Sequence, residues 1–192
     1  MISTVYIIEH LEPEVFAWCV MEYKHISSIV GKERLWFTNL KGKKGAERLE
    51  GWGKCVQESV RELSLKNMCV LDPAVEETLE PKEAKAFAYF IFGGILGDDP
   101  PKERTKEELT PFVADATVRN IGKAQMSTDN AVFVVHAIAH GKTLKEIPFQ
   151  EGAEIEINDV ESIQLPYTYA VVKGKPLMSE ELVEYLKKKE TF

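Results

Sequence analysis

The sequence predicts an α/β fold built on a mostly parallel sheet. Strand-like runs alternate with helix-like runs along most of the chain, the pattern that parallel sheets require. The most continuous strand candidate, residues 87–92, runs straight into the glycine-rich turn GGILGDDPP. No internal repeat or low-complexity segment interrupts the alternation.

Residues 4–9 (TVYIIE) are rich in β-branched and aromatic side chains and read as the first strand. Pro13 opens a helical segment whose apolar positions Val15, Phe16, Cys19, Tyr23, Ile26, Ile29 and Val30 recur at three and four, with Gly31 at its C-cap. A short strand at 35–37 and a basic loop at 41–45 follow. Residues 46–63 are expected to be helical, with Leu49, Trp52, Val56, Val60 and Leu63 on one face, although Gly51 and Gly53 weaken that helix. Residues 68–71 form a strand stopped by Asp72-Pro73, and Pro81 opens a short helix to 86. A further strand lies near 116–121. Ser127 or Thr128 caps a helix over 129–140, which is apolar on most sides and so expected to be buried. Beyond about residue 146 the pattern changes to strand-like pieces at 154–157 and 167–172, a turn at 173–176 and a lysine-rich helix at 179–189. The expected division is a main domain over 1–145 and an extension over 146–192.

The 192 residues carry 24 Lys and Arg against 31 Asp and Glu, a net charge of −7. With 44% hydrophobic and 29% charged residues, wholesale disorder is excluded. No apolar run approaches the ~18–20 residues of a membrane span. The first residues lack a basic n-region, so no secretory signal is expected. Three cysteines, Cys19, Cys55 and Cys69, form no CxxC pair and read as core residues of a cytoplasmic protein. The acidic balance disfavours a protein that coats duplex nucleic acid and suits a basic partner.

In parallel sheets, ligands bind beyond the carboxyl ends of the strands. Those ends here are 9–10, 71–73, 93–99 and 121–128, which places the site along one rim. The turn GG-x-x-GD lets backbone approach a ligand closely. It is not a dinucleotide fingerprint, because Asp98-Asp99-Pro100-Pro101 follows where a helix should start, and a phosphate would avoid two carboxylates. A cationic ligand such as S-adenosylmethionine, with its sulfonium and ammonium, fits better. A tight structural turn is the plainer alternative.

The segments YIIEHLEP (6–13), LDP (71–73), YFIFGGILGDDPPKERTKEEL (89–109) and QMSTDNA (125–131) resemble the SPOUT-superfamily group that includes the fungal methyltransferase acting on an arginine of a small-subunit ribosomal protein. The resemblance covers nearly the whole chain. It implies a SPOUT-type sheet with helices on both faces, tied in a C-terminal trefoil knot over roughly 67–141. It also implies S-adenosylmethionine bent among three loops, with S-adenosylhomocysteine as product and no metal. By motif the loops comprise Leu71, Asp72 and Pro73; Phe92, Gly93, Gly94, Ile95, Leu96 and Gly97; and Ile121, Gly122, Gln125, Met126, Ser127 and Thr128. The implied activity is methylation of an arginine in a basic, ribosomal protein. A carboxylate pair would hold the guanidinium through a bidentate fork and aim one nitrogen at the methyl group. Among Asp98, Asp99, Glu9 and Glu12, the pair Asp98 and Glu9 is favoured as catalytic. Asp99, Glu12, His10 and Arg104 are assigned to acceptor binding. The fungal member carries a histidine where this chain has Asp99.

Each of these residues also has a structural reading. Asp98 suits an Asx turn, His10 a structural hydrogen bond, and Arg104 an ion pair that steadies the loop or competes with substrate. Ser127-Thr128-Asp129 is first a helix cap. His136 and His140 stand at a metal-like spacing but lack the HExxH glutamate, so packing is expected. The lysines at 41–44 read as an exposed solubilising loop. Two other functions stay open: a SPOUT enzyme acting on tRNA or rRNA, and a cofactor-binding assembly module without turnover. A monomer is favoured over the SPOUT homodimer, because the extension can cover the dimer face.

Overall fold

The structure, a computed structural model, describes residues 4–97, 100, 102–158 and 160–189. Among the described residues, nine strands fall into two sheets. The first holds β1 (Val5–His10), β2 (Leu35–Thr38), β3 (Lys54–Cys55), β4 (Met68–Leu71), β5 (Tyr89–Gly94) and β6 (Thr117–Arg119) in the order β3-β2-β1-β5-β4-β6, and every pairing is parallel. The second is antiparallel, in the order β7-β8-β9, from β7 (Phe149–Asn158), β8 (Glu161–Val172) and β9 (Lys175–Pro176). The expected mostly parallel α/β sheet is therefore present. The short strands expected at 154–157 and 167–172 are parts of one long hairpin.

Alternation along β1 sorts the core into two layers. Tyr6 and Ile8 face α1 (Ala17–Val30) and α5 (Thr128–Ala139), meeting Tyr23, Ile26, Val135 and Ile138. Ile7 faces the other side, where Val60, Leu109 and Val113 form a thinner cover with Val70 and Ile91. That cover comes from 3-10 turns at Val60–Glu62 and Thr110–Phe112 and from the short α4 (Arg104–Glu108). Helix α1 begins at Ala17 rather than at Pro13, and it ends at Gly31, whose φ of 85° places its N–H on the Ser27 carbonyl at 2.9 Å. Helix α3 (Pro81–Ala84) carries proline in its first turn, as expected.

The single long helix expected over 46–63 is absent. Helix α2 (Lys43–Leu49) stops early, Gly51 takes a φ of +87°, and the chain turns into β3. A Cβ on Gly53 would stand 2.7 Å from the Leu35 carbonyl oxygen, so β3 lies against β2 only because residue 53 has no side chain. Lys43 and Lys44, expected in a loop, form the exposed first turn of α2. Cys19 and Cys69 pack in the larger core layer, and burial pushes both thiols up to about 12.

The antiparallel sheet packs, with α6 (Glu180–Lys189), onto the outer side of α1. Met21 joins Ala153, Ile155, Leu165, Tyr169, Leu182 and Leu186 in a third cluster. The joint is polar as well. Asn130 is fully buried; its Nδ2 donates to the Leu177 carbonyl at 3.0 Å and its Oδ1 accepts the Ala170 N–H at 2.9 Å. Beside it, Asp129 accepts from His25 Nδ1 at 2.7 Å, and Glu22 accepts the Trp18 indole N–H at 2.9 Å. Burial first, and the Asp129 carboxylate second, push the Glu22 carboxyl up to about 8.

Two outcomes follow. Gly53→Ala must push β3 off β2 and should cost about 1–3 kcal/mol in urea unfolding, whereas wild-type stability would refute the close-approach argument. Glu22 binds its proton more tightly folded than unfolded, so its contribution is greatest below the ordinary carboxylate range and is lost as pH rises towards about 8. Glu22→Gln should raise the melting temperature by about 2–6 °C at pH 8 and by much less at pH 5. A gain larger at pH 5 would reverse that assignment.

Candidate active site

The carboxyl ends of β4, β5 and β6 open into one cavity of about 650 Å³, within the ~300–1,000 Å³ usual for small-molecule sites. Each of the three loops behind it is pinned by one polar side chain. Asp72, 1% exposed, accepts the Ala74 N–H at 2.8 Å and the Thr110 hydroxyl at 2.6 Å. Asn120, 3% exposed, donates to the Val75 and Glu76 carbonyls, both at 3.0 Å, and accepts the Gly122 N–H at 3.0 Å. Glu12 Oε1 accepts the Leu96 N–H at 2.9 Å. These bonds satisfy loop backbone from behind the cavity.

Most residues expected to hold a cofactor line this cavity: Leu71, Asp72 and Pro73 from the first loop; Phe92, Gly93, Ile95, Leu96 and Gly97 from the second; Ile121, Gly122, Gln125, Met126 and Thr128 from the third. Two do not. Gly94 faces the opposite way, where a Cβ would collide with the Tyr23 hydroxyl. Ser127 turns inward as the N-cap residue of α5 and donates to Asp129 Oδ1 at 2.5 Å. The walls mix apolar side chains such as Leu71, Phe92, Ile95, Leu96, Ile121 and Met126, which suit an adenine ring and a thioether chain, with polar ones. Lys102, Arg104 and Lys123 bring cations to the lining, and Glu76 and Glu103 bring carboxylates. A lining of mixed charge fits a ligand that carries both signs. Ala74, Thr105, Ala124 and Ala131, not named individually as cofactor residues, also line it.

The acceptor residues scatter. Asp98 and Asp99 lie outside the described residues. Glu9 does not reach the cavity. It is wholly buried on the thin side of the sheet, where Thr38 and Ser59 hydroxyls donate to it and the Val60 N–H reaches it at 3.0 Å. Strand alternation explains this: Glu9 points the same way as Ile7, into the layer that holds Val60. His10 is 3% exposed and pairs through Nδ1 with the Tyr23 hydroxyl at 2.9 Å; burial pushes its pKa down. The expected roles of Glu9 as catalytic carboxylate and His10 as acceptor ligand do not fit these positions.

Arg104 lines the cavity; Glu12 does not, but it stands behind the lining, bonded to Leu96 and Arg104, which do. Arg104 Nη1 donates to Glu12 Oε1 at 2.7 Å, and Arg104 Nε donates to Glu108 Oε1 at 2.8 Å. The Glu108 bond first, then Glu12, push the guanidinium pKa up. His136 Nδ1 bonds the Tyr6 hydroxyl at 2.9 Å, and the His140 ring lies tilted against it with centroids 4.2 Å apart. Burial, with His140 second, pushes the His136 pKa down to about 4. Among the described residues, no group of three potential metal ligands stands together, and no helix is long and apolar enough to cross a membrane.

Comparison with known proteins places this geometry. The chain is 34% identical over 200 residues to protein arginine N-methyltransferase SFM1 of Saccharomyces cerevisiae, covering 95% of this chain and 94% of that protein. The crystal structure of yeast arginine methyltransferase SFM1 complexed with SAM superposes with a TM-score of 0.89 at 32% identity, over 98% of this chain and 92% of that one. A Trm10 structure from Thermococcus kodakaraensis shares the fold at 20% identity, with a TM-score of 0.56 over 74% of this chain and 96% of that one. The family model described as protein arginine N-methyltransferase SFM1-like matches residues 5–191, and the chain belongs to that family.

Proposed function

We propose that this protein transfers a methyl group from S-adenosylmethionine to an arginine side chain of a basic protein, with a ribosomal protein as the substrate class. The observation that carries the reading is the cavity at the carboxyl rim, whose three internally bonded loops meet beside a carboxylate that already clasps a guanidinium. Its volume, its apolar side chains and its mixed charge fit the cofactor. When bound, the cofactor supplies a methyl group on a sulfonium, which leaves S-adenosylhomocysteine after transfer.

The chain's own groups then have to hold and aim a guanidinium. Such a group has a pKa above about 12 and is a poor nucleophile, so alignment supplies much of the acceleration. Glu12 takes the role first expected of Glu9. Its Oε1 is bonded to Leu96 and Arg104, and its Oε2 has no hydrogen bond among the described residues. Asp98 and Asp99, which follow Gly97 in the sequence, are the other carboxylates this reading assigns to the acceptor. These carboxylates would hold the acceptor nitrogen in line with the methyl carbon, opposite the sulfonium that leaves. The surplus proton leaves through these carboxylates to water.

A trefoil knot, a cytoplasmic location and a monomeric state belong to the same reading. The crossed strand order, with β5 between β1 and β4 and β6 on the outer edge beside β4, is compatible with the knot. An RNA acceptor is the competing reading, and the net charge of −7 disfavours it.

Incubation with labelled cofactor and separated ribosomal proteins and RNAs tests the acceptor. Label should enter a basic protein and vanish on Arg→Lys at one position; label in RNA alone would overturn the reading. Glu12→Gln keeps an oxygen for the Leu96 amide but loses the charge. It should lower kcat/KM for the acceptor about 10–100-fold while cofactor affinity stays within about threefold. Glu9→Gln should act on stability and leave kcat/KM within about threefold. The reverse ranking would return the acceptor role to Glu9.

A further inference from the structure

The antiparallel sheet touches the cavity loops at two points one residue apart. Tyr167 Oη donates to the Gly97 carbonyl at 3.3 Å, and the Thr168 N–H donates to the Gln125 carbonyl at 2.9 Å. Gly97 ends the described part of the second loop and Gln125 lies in the third, so one dipeptide of β8 bridges both. The contact at Gly97 is flush. A Cβ there would stand 2.5 Å from Tyr167 Cε1 and 2.9 Å from its Cζ, so the ring lies on the bare backbone. A tyrosine suits this task, because it offers a flat apolar face with few rotors and a polar tip.

A second feature aims the ring. Along most of the hairpin, β7 and β8 pair one to one, but the register jumps between Glu151↔Thr168 and Ala153↔Leu165. Gly152 alone then faces both Pro166 and Tyr167, which is a bulge in β8. Gly152 takes a φ of +72° there, and Pro166 has no N–H for the ladder. Bulges of this kind bend a strand and redirect a side chain. This one lies where β8 meets the second and third loops.

We propose that β8 completes the cofactor cleft in cis, and that Tyr167 is a positioning residue which holds the Gly97 backbone, immediately ahead of Asp98, in its binding shape. The inference rests on the cofactor reading above and adds a part of the chain to it. Without the ring, the loop must be ordered each time a ligand binds, and affinity falls by that cost.

Calorimetry with S-adenosylhomocysteine on the full chain reads this without any acceptor. Tyr167→Ala should raise Kd about tenfold. Tyr167→Phe, which keeps the ring, should stay within about threefold. Tyr185→Ala loosens α6 within the same third core cluster, away from the loops, and should lower the melting temperature while Kd moves less than about twofold. Should Tyr167→Ala fail to fold, Tyr167→Leu carries the same expectation. Wild-type affinity in the Tyr167 variant, or an equal loss in Tyr185→Ala, would overturn the proposal alone. No binding by the wild-type chain would overturn the cofactor reading and the proposal with it.

Discussion

All six strands of the main sheet run the same way, so every turn that leaves a carboxyl end must find partners for its own backbone at one crowded rim. That constraint shapes the rest of the molecule. Three polar side chains meet it: Asp72, Asn120 and Glu12 each bond the backbone of a loop that lines the cavity. Asn120 goes further and ties the loop after β6 to the loop after β4. The ligand-facing surface is then free to offer side chains, apolar and charged, because the polar needs of its backbone are met from behind.

The same economy explains a buried glutamate that looks like a catalytic one. Glu9 sits where the parallel sheet has only a thin cover, and it gathers Thr38, Ser59 and the Val60 amide. It therefore fastens β2 and the 3-10 turn at Val60–Glu62 to the central strand. Removing an acceptor that serves several buried donors costs far more than the net worth of any one of its bonds.

Much of this was legible in the residues. The strands at 5–10, 35–38 and 68–71 and the buried helix after Thr128 carry strong local patterns, and the rule of carboxyl ends located the cavity loops. The stretch after Leu49 was not legible as two pieces, because its apolar residues keep helical spacing. Only the positive φ of Gly51 and the backbone contact at Gly53 break the helix. Helix α4 was hidden behind two prolines and a run of charge. Glu9 was misread through position at a strand end, although its alternation with Ile7 already pointed it away from the rim. The partnership of Glu12 with Arg104 joins residues far apart in sequence, which no spacing rule reveals.

The order of elements along the chain adds a temporal consequence. All six parallel strands and α5 precede β8, yet β8 supplies the Thr168 amide to Gln125 and the Tyr167 ring to Gly97, and the Ala170 amide closes on buried Asn130. A nascent chain that has emerged only as far as α5 thus holds the loops of its pocket with their outer brace missing. Maturation of the pocket during translation is a late event, gated by synthesis of the hairpin.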